Sequence, residues 1–468
     1  MIYDKTAVRT AYKHSPVVVQ NMMLTAYGML KWLERNNSTF KSYARELDES
    51  QWYSKKQLEE LQNKKLQMIV KHAYENVPYY HRVFDENKLK PEDIKTKEDL
   101  GKLPYLTRGD VKKNFKELTA VNVPKQSYFK AHTGGTTGDP LSFLLDKRRL
   151  TYTRALQWRH WTSLGYRFRS KLAFMRAASL MPPESNRKPF WRHDFFENKL
   201  FLSAYHVDQE KLRDYAVKIV QWKPEFLFTY PLSACILAKF MKKECVEVAL
   251  KAVFTGSETL FPEQRRIIEE AFKCKVYDEY GHAERAVRAG QCSKGSYHID
   301  SEYGILQVQK DDCDLNPGET GEIIATSLSN YSMPLIRYRT GDTASLADNE
   351  CACGRGLPLV EKIEGKFGDW IATKDGRMVR GILVSPIMGE FSDTIKEWQI
   401  TQRNKGALTV NVIPEEEFNG KQAVMLVKRL KDLLGVENEI EVKVRDRIDR
   451  TKSGKFRCVV SEVEMENI

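Results

Sequence analysis

The sequence predicts an α/β fold with a separate, smaller α+β unit at its C-terminal end, and three observations predict it. First, 468 residues can bury a sizeable core and form more than one domain. Second, the middle of the chain alternates short apolar runs with a helical segment. "LKAVFTGSE" and "CKVYDEYG" read as buried strands on either side of "PEQRRIIEEAF", which has Pro262 at a helix start and Ile267, Ile268 and Ala271 inside. Third, the tail changes pattern: "EIEVKVRDRI" alternates Ile440, Val442 and Val444 with charges, so one face is wet. The boundary is placed at 366/367, which gives units 1–366 and 367–468.

The elements follow in chain order. "VVVQNMMLTAYGMLKWL", Val17 to Leu33, reads as a packed helix. Gln20, Asn21 and Lys31 interrupt its apolar run, which is too short to span a bilayer comfortably. A peripheral membrane or partner contact is the alternative for this segment. From Gln57 to Val77, Leu58, Leu61, Leu66, Ile69, Val70 and Ala73 recur at helical spacing, and Pro78 breaks the pattern. "KLAFMRA" and "PEFLFTY" are further buried strands. In the tail, "ALTVNVI" is an alternating strand, and "GKQAVMLVKRLKDLLG" a helix that stops at Gly435.

Composition narrows the class. Hydrophobic residues at 41% and charged residues at 29% are ordinary for a soluble globular protein. The formal charge of +12 (75 basic against 63 acidic residues) could favour phosphates, an anionic surface or nucleic acid, or could simply be a solvated basic surface. Seven basic residues lie between Lys443 and Arg457, but no nucleic-acid motif accompanies them, so no nucleic-acid partner is expected. Eight scattered cysteines and no export signal fit a reducing, cytoplasmic location.

Four segments carry the candidate chemistry. In "KAHTGGTTGDPLSF", six of the seven residues from Thr133 to Asp139 are Gly or Thr. Such a loop presents amides and hydroxyls suited to a phosphate. It is not a P-loop of the GxxxxGK[ST] form, because Asp139 and Pro140 follow Gly138. "VFTGSETL" and "VYDEYGHAERA" offer Tyr280 as a flat face for a purine and Glu284 as a hard oxygen ligand for Mg²⁺. "PLIRYRTGDTASL" places Asp342 after Gly341 at a strand end, where a carboxylate can accept from a ribose diol. "RIDRTKSGKFR" presents Lys455 on a Ser-Gly turn, as a point charge for a carboxylate and an α-phosphate. Each segment alone is equally an ordinary turn or a solvated loop.

Together, and in this order, they resemble the adenylate-forming superfamily of acyl-CoA synthetases, peptide-synthetase adenylation domains and luciferases. "TGGTTGDP" resembles its phosphate loop, "YGHAE" its Tyr-Gly-x-x-Glu segment, "YRTGD" its ribose segment and "RTKSGKFR" its catalytic-lysine segment. The resemblance covers nearly the whole chain. Within the superfamily the chain is similar to the phenylacetate–coenzyme A ligase branch, near members found with capsule and other surface-polysaccharide genes. "NVPYYHRVF" and "KTKEDLGKLPYLTRGDVKKNF" carry that style.

The resemblance implies a large multi-subdomain N-terminal domain and a small mobile C-terminal domain. It implies ATP held by Thr133, Gly134, Gly135, Thr136, Thr137 and Gly138, by Gly256, Ser257 and Glu258, by Tyr280 and Gly281, and by Asp342 and Lys366. Lys455, Glu284 and Thr137 become the catalytic groups, with Mg²⁺ on Glu284. Tyr230, Pro231, His282 and Arg176 become candidate contacts to the acid; for Tyr230 and Pro231 plain core packing, and for Arg176 a surface ion pair, are the alternatives. The reaction implied is activation of a carboxylic acid as acyl-AMP with loss of pyrophosphate. Transfer of the acyl group to an amine or hydroxyl of a sugar or amino acid would follow, as in surface-polysaccharide synthesis; the acid could be a uronic acid on a glycan.

Two departures bear on the acceptor. "GKFGD" has Lys366 and Gly368 where the superfamily reads Gly-Arg-x-Asp-Asp, and Lys cannot make the forked contact of Arg. "WIATKDGRMVRG" lacks the Gly-rich form expected of coenzyme A ligases. Coenzyme A as acceptor, or a non-catalytic nucleotide-binding scaffold, are the rival readings.

A cysteine cluster stands apart from these motifs. Cys292 and His298 are spaced C-x₅-H, and Cys351 and Cys353 C-x-C. Three thiols and an imidazole suit a closed, structural tetrahedral zinc site; reduced cysteines with a core histidine are the alternative. The remaining cysteines, Cys235, Cys245, Cys274, Cys313 and Cys458, are expected to be packing residues.

Overall fold

The structure is a computed structural model that describes residues 11–12, 14–133, 141–176, 188–204, 209–366, 370–376, 378–380, 384–391, 393–449 and 456–463. The helix expected from Gln57 starts at Lys55, because Ser54 caps it. The Gln57 N–H donates to Ser54 Oγ (3.3 Å) and the Ser54 N–H to Gln57 Oε1 (2.9 Å). Leu58, Leu66, Ile69, Val70 and Ala73 are buried, and Leu61 sits at the margin. Pro78 does more than end this helix: it stands at the first position of the next, Pro78–Glu86.

The strands, in chain order, are β1 (Tyr128–His132), β2 (Ser142–Asp146), β3 (Leu172–Arg176), β4 (Trp191–Asp194), β5 (Lys199–Ser203), β6 (Phe226–Thr229), β7 (Ala252–Gly256), β8 (Lys275–Gly281), β9 (Arg288–Gln291), β10 (Tyr297–Ile299), β11 (Gly304–Lys310), β12 (Cys313–Asp314), β13 (Thr320–Ser327), β14 (Tyr338–Ala347) and β15 (Leu359–Lys366). In the tail they are β16 (Trp370–Ala372), β17 (Met378–Arg380), β18 (Ile395–Asn404), β19 (Ala407–Pro414), β20 (Glu439–Val444) and β21 (Val459–Ser461).

Among the described residues, thirteen strands form one sheet in the order β12-β11-β13-β14-β15-β10-β9-β8-β7-β6-β3-β5-β4. The run β8-β7-β6-β3-β5 is parallel, and both flanks are antiparallel. The four runs read as buried strands are β3, β6, β7 and β8, and "PEQRRIIEEAF" is the helix Pro262–Phe272. β6 and β7 are buried at every position because helices Gln209–Trp222, Pro231–Lys243 and Pro262–Phe272 cover one face and an aromatic cluster with Trp161 and Tyr166 covers the other. In the tail a four-stranded sheet, β20-β19-β18-β21, packs on the helix Gly420–Leu434 around Ile400, Val410, Val412, Leu426 and Leu430.

The first long helix, Val17–Arg35, has a different use from that suggested by its apolar run. Two of the polar residues that interrupt it, Gln20 and Asn21, serve edge strand β4, joined by Thr25, while Lys31 pairs with Glu34 on the helix itself. Asn21 Oδ1 accepts from the His193 N–H (2.9 Å), Thr25 Oγ1 accepts from the Phe195 N–H (3.1 Å), and Gln20 Oε1 accepts from Arg192 Nε. A Cβ on Gly28 would lie 2.1 Å from Asp194 Oδ2, so any side chain there would have to displace the Asp194 carboxylate. The outer face, with Val18, Met22, Met29 and Leu33, is exposed rather than packed. Among the described residues no helix is long and apolar enough to cross a membrane.

Candidate active site

In a parallel sheet the ends of the strands, where the backbone groups stop pairing, are where ligands bind. β3, β6, β7 and β8 lie side by side with their carboxyl ends together. Those ends carry Arg176, Tyr230 with Pro231, Gly256 with Ser257 and Glu258, and Tyr280 with Gly281. The sequence distributes these candidates over more than 100 positions; the sheet brings them to one edge.

β14 supplies the next part. The Tyr280 hydroxyl donates to Asp342 Oδ2 (2.7 Å), which ties the candidate purine platform to the candidate ribose acceptor. Burial and the Asp342 carboxylate push the Tyr280 hydroxyl well above its ordinary pKa, so it stays a donor. Gly341 precedes Asp342 with φ +73°, a left-handed conformation that a side chain would strain. The backbone of Lys366 pairs opposite Asp342; its side chain lies outside the described residues.

Glu284 is buried and held from both sides. Its Oε1 accepts from the Tyr338 hydroxyl (2.9 Å), and its Oε2 lies 3.1 Å from His282 Nδ1. His282 Nε2 accepts from the backbone N–H groups of Ala286 (3.2 Å) and Val287 (3.3 Å), so Nδ1 carries the proton and donates to Glu284. Burial alone would raise the Glu284 pKa, but His282 and Tyr338 outweigh it and hold the carboxyl down at about 2. Glu284 is therefore a carboxylate at neutral pH, the hard anionic donor that Mg²⁺ takes alongside phosphate oxygens and water. The His282 ring nitrogens are occupied within the protein. Tyr338, the first residue of "YRTGD", is a site residue that motif reading passed over.

On β7, a Cβ on Gly256 would meet the Glu279 carbonyl oxygen at 2.8 Å, so the close packing of β7 against β8 requires glycine. Ser257 follows with φ +73°, a strained backbone at the strand end. Its Oγ accepts from Arg176 Nη2 (2.6 Å). The Arg176 guanidinium stacks over Tyr230 and Phe228, 4.3 and 4.5 Å from their ring centroids. Arg176 thus sits among aromatic faces and a hydroxyl, and among the described residues it makes no ion pair. Tyr230 and Pro231 are both buried, Pro231 at the first position of its helix.

Of the phosphate loop, Thr133 is described. It closes the loop's base: its N–H donates to the Leu141 carbonyl and its Oγ1 accepts from the Leu141 N–H, each at 2.9 Å. Gly134, Gly135, Thr136, Thr137 and Gly138 lie outside the described residues, as does Lys455. Arg108 Nη2 donates to Thr133 Oγ1 (3.4 Å), a neighbour that no motif announced. Next to Lys455, the Phe456 N–H donates to Glu258 Oε1 (2.8 Å), so the last motif segment adjoins the end of β7.

The chain resembles known proteins from end to end. It is 25% identical to Protein CapK of Staphylococcus aureus over 468 residues, covering 97% of this chain and 99% of that one. The family model of the CapK C-terminal domain matches residues 371–462. The chain is similar, over nearly its whole length, to adenylate-forming ligases of the phenylacetate-coenzyme A ligase kind. Phenylacetate-coenzyme A ligase of Thermus thermophilus is 24% identical over 459 residues, covering 87% of this chain and 97% of the relative. Among solved structures, 2-hydroxyisobutyryl-CoA ligase in the postadenylation state with 2-HIB-AMP matches with a TM-score of 0.72 at 20% identity, over 89% of this chain and 92% of that one. The same enzyme in its thioesterification state, with 2-HIB-AMP and CoA, gives 0.59 at 20% identity, over 88% and 91%.

The cysteine cluster of this chain assembles, but away from the strand ends. The ligand atoms of Cys292, His298, Cys351 and Cys353 lie within 4.8 Å of one another. Cys292 Sγ is 3.6 Å from Cys351 Sγ, and Cys353 Sγ is 3.3 Å from His298 Nε2. Disulfide sulfurs would be about 2.05 Å apart, whereas thiolates on a tetrahedral zinc with bonds of about 2.3 Å lie about 3.8 Å apart. The His298 Nδ1 donates to the Leu357 carbonyl (3.2 Å), which leaves Nε2 as the metal-facing acceptor. Burial pushes this imidazole down to about 4, so it is neutral, as a ligand must be. The donor set fits zinc. β9 runs antiparallel to β8, so Cys292 stands level with Tyr277, about 13 Å back along the strand from Gly281. Of the other cysteines, Cys235 is buried as expected, but Cys245 and Cys313 are exposed: Cys245 sits in the turn after the helix Pro231–Lys243, and Cys313 in the two-residue edge strand β12.

Proposed function

We propose that this ligase uses ATP to activate a carboxylic acid as its acyl-adenylate and then transfers the acyl group to an amine or hydroxyl acceptor in surface-polysaccharide assembly. The observation that carries the reading is the bond between Tyr280 and Asp342, which joins a purine platform to a ribose acceptor at the ends of the parallel strands. In the first step a carboxylate oxygen attacks the α-phosphorus. The new O–P bond forms as the bond to pyrophosphate breaks, and the electron pair leaves with pyrophosphate. In the second step the acceptor attacks the acyl carbon, the C–O bond to AMP breaks, and the acceptor's proton is released. Lys455 would neutralise the charge gathering at the α-phosphate, and Thr136 and Thr137 would bind the outer phosphates. Glu284 would hold Mg²⁺ with Tyr338 and His282 fixing its oxygens, and the ion when bound neutralises phosphate charge. His282 acts in this reading by orienting Glu284, while its ring face borders the acid. Zinc on the cysteine cluster would be structural, with the mobile unit 367–468 carrying Lys455 to the site.

Coenzyme A as the acceptor is a second reading, favoured by the phenylacetate-coenzyme A ligases among the relatives and by the CoA complex of the structural neighbour. The test is pyrophosphate release from ATP and Mg²⁺ over aryl, fatty, amino and uronic acids, with and without coenzyme A. Acid-dependent release that falls on the order of 10²–10³-fold in Lys455→Ala is the expected result. AMP release that requires coenzyme A would favour the second reading. Release unaffected by Lys455→Ala would overturn both.

A further inference from the structure

Arg176 has a place and a set of contacts that adenylation itself does not require. Its guanidinium is stacked on Phe228 and Tyr230, one edge donates to Ser257, and Nη1 is buried without a hydrogen-bond partner among the described residues. A buried donor left unpaired is destabilising, and such groups in folded proteins ordinarily have an occupant. A stacked guanidinium keeps its in-plane N–H groups for an oxyanion, which it meets with paired hydrogen bonds.

Its position says which ligand. Tyr280 and Asp342 hold the nucleotide end of the site at β8 and β14. β3 lies three strand spacings from β8, about 14 Å along the sheet edge. Tyr230, the wall residue next to Arg176, lies one spacing nearer. The group that meets Arg176 therefore comes from the acid.

We propose that Arg176, with Ser257, is a specificity site for a second anionic group, so that the acid activated is a dicarboxylate or another acid carrying a second oxyanion. The inference rests on the adenylation reading and narrows its substrate. Arg176 selects the acid and takes no part in the bond changes at phosphorus.

The test uses stable acyl-adenylate analogues, acyl-sulfamoyl-adenosines, in matched pairs that differ by one carboxylate: acetyl and malonyl, propionyl and succinyl, butyryl and glutaryl. Affinities are measured by calorimetry on the full chain, with AMP as reference. At least one dicarboxylic member should bind about 10–100-fold more tightly than its partner. Arg176→Met should abolish that difference and leave AMP binding unchanged, and Arg176→Lys should keep part of it. Equal affinities within every pair for the wild-type protein would overturn the inference while leaving adenylation standing. So would an Arg176→Met variant that weakens AMP and all analogues alike, which would place Arg176 on the nucleotide. Failure of AMP and of every analogue to bind the wild-type protein would overturn the adenylation reading itself, and this inference with it.

Discussion

The backbone N–H of Phe456 donates to Oε1 of Glu258 across 2.8 Å, a bond between residues 198 positions apart. It fastens the segment next to Lys455 to the end of β7, and the Phe456 side chain packs against the helices that cover that sheet face. Glu258→Ala should slow pyrophosphate release by about 10-fold or more, because hydrogen bonds to charged groups contribute about 1.5–3 kcal/mol. Glu258→Gln keeps the acceptor and should recover most of the rate. A fall in kcat with little change in KM for ATP is the signature expected; a change in KM alone would assign Glu258 to nucleotide binding instead.

Gly256→Ala tests the tight contact of β7 with β8. The added methyl would stand 2.8 Å from the Glu279 carbonyl oxygen, which is backbone and cannot swing away. The expected cost is about 1–3 kcal/mol of stability, read as a lower urea midpoint, with Ser257 displaced and ATP binding weakened. An unchanged midpoint would mean that the two strands separate more readily than their packing indicates.

Glu284 makes stability depend on acid. Its folded pKa, about 2, lies below the ordinary carboxylate value. Its contribution is therefore complete above about pH 4.5 and is lost as the pH falls toward 2; it is on the order of 3 kcal/mol. The urea midpoint should decline between pH 5 and pH 3, and the decline should be shallower in Glu284→Gln. Equal slopes would show that other buried carboxylates, such as Glu279, carry the effect.

Metal analysis of the purified protein should find one zinc per chain. Cys351→Ser should lose it and lower the thermal midpoint. The distance of Cys292 from the strand ends predicts that chelation destabilises the protein before it touches the chemical step. Full metal content in Cys351→Ser would remove that residue from the ligand set.

Much of this was legible in the chain, for reasons that differ from element to element. β3, β6, β7 and β8 were readable because a strand buried on both faces is an unbroken apolar run, and Pro262 marks the start of the helix between two of them. Tyr280, Glu284 and Asp342 were picked out because a flat ring and carboxylates beside glycines suit a nucleotide, and the fold brings Tyr280 and Asp342 into contact. What stayed hidden were relations made only in three dimensions. The His282 nitrogens are taken up by Glu284 and the Ala286 and Val287 amides, and no periodicity records that. Cys292 follows a nucleotide motif closely in sequence, yet the reversal from β8 to β9 carries it away from the site. Gln20 and Asn21 looked like defects in an apolar helix; their partners lie 172 residues away.

Those same side chains decide how the large sheet ends. A sheet that does not close into a barrel offers two open margins, and an open margin is a template for another chain. At one margin β12 is only two residues long. At the other, the amides of His193 and Phe195 in and after β4 are already taken by Asn21 and Thr25. The N-terminal helix thus works as a selvedge, finishing the fabric so that no foreign strand can be woven on. Removing it would leave the candidate site's strands in place and bare the β4 amides for pairing with another chain.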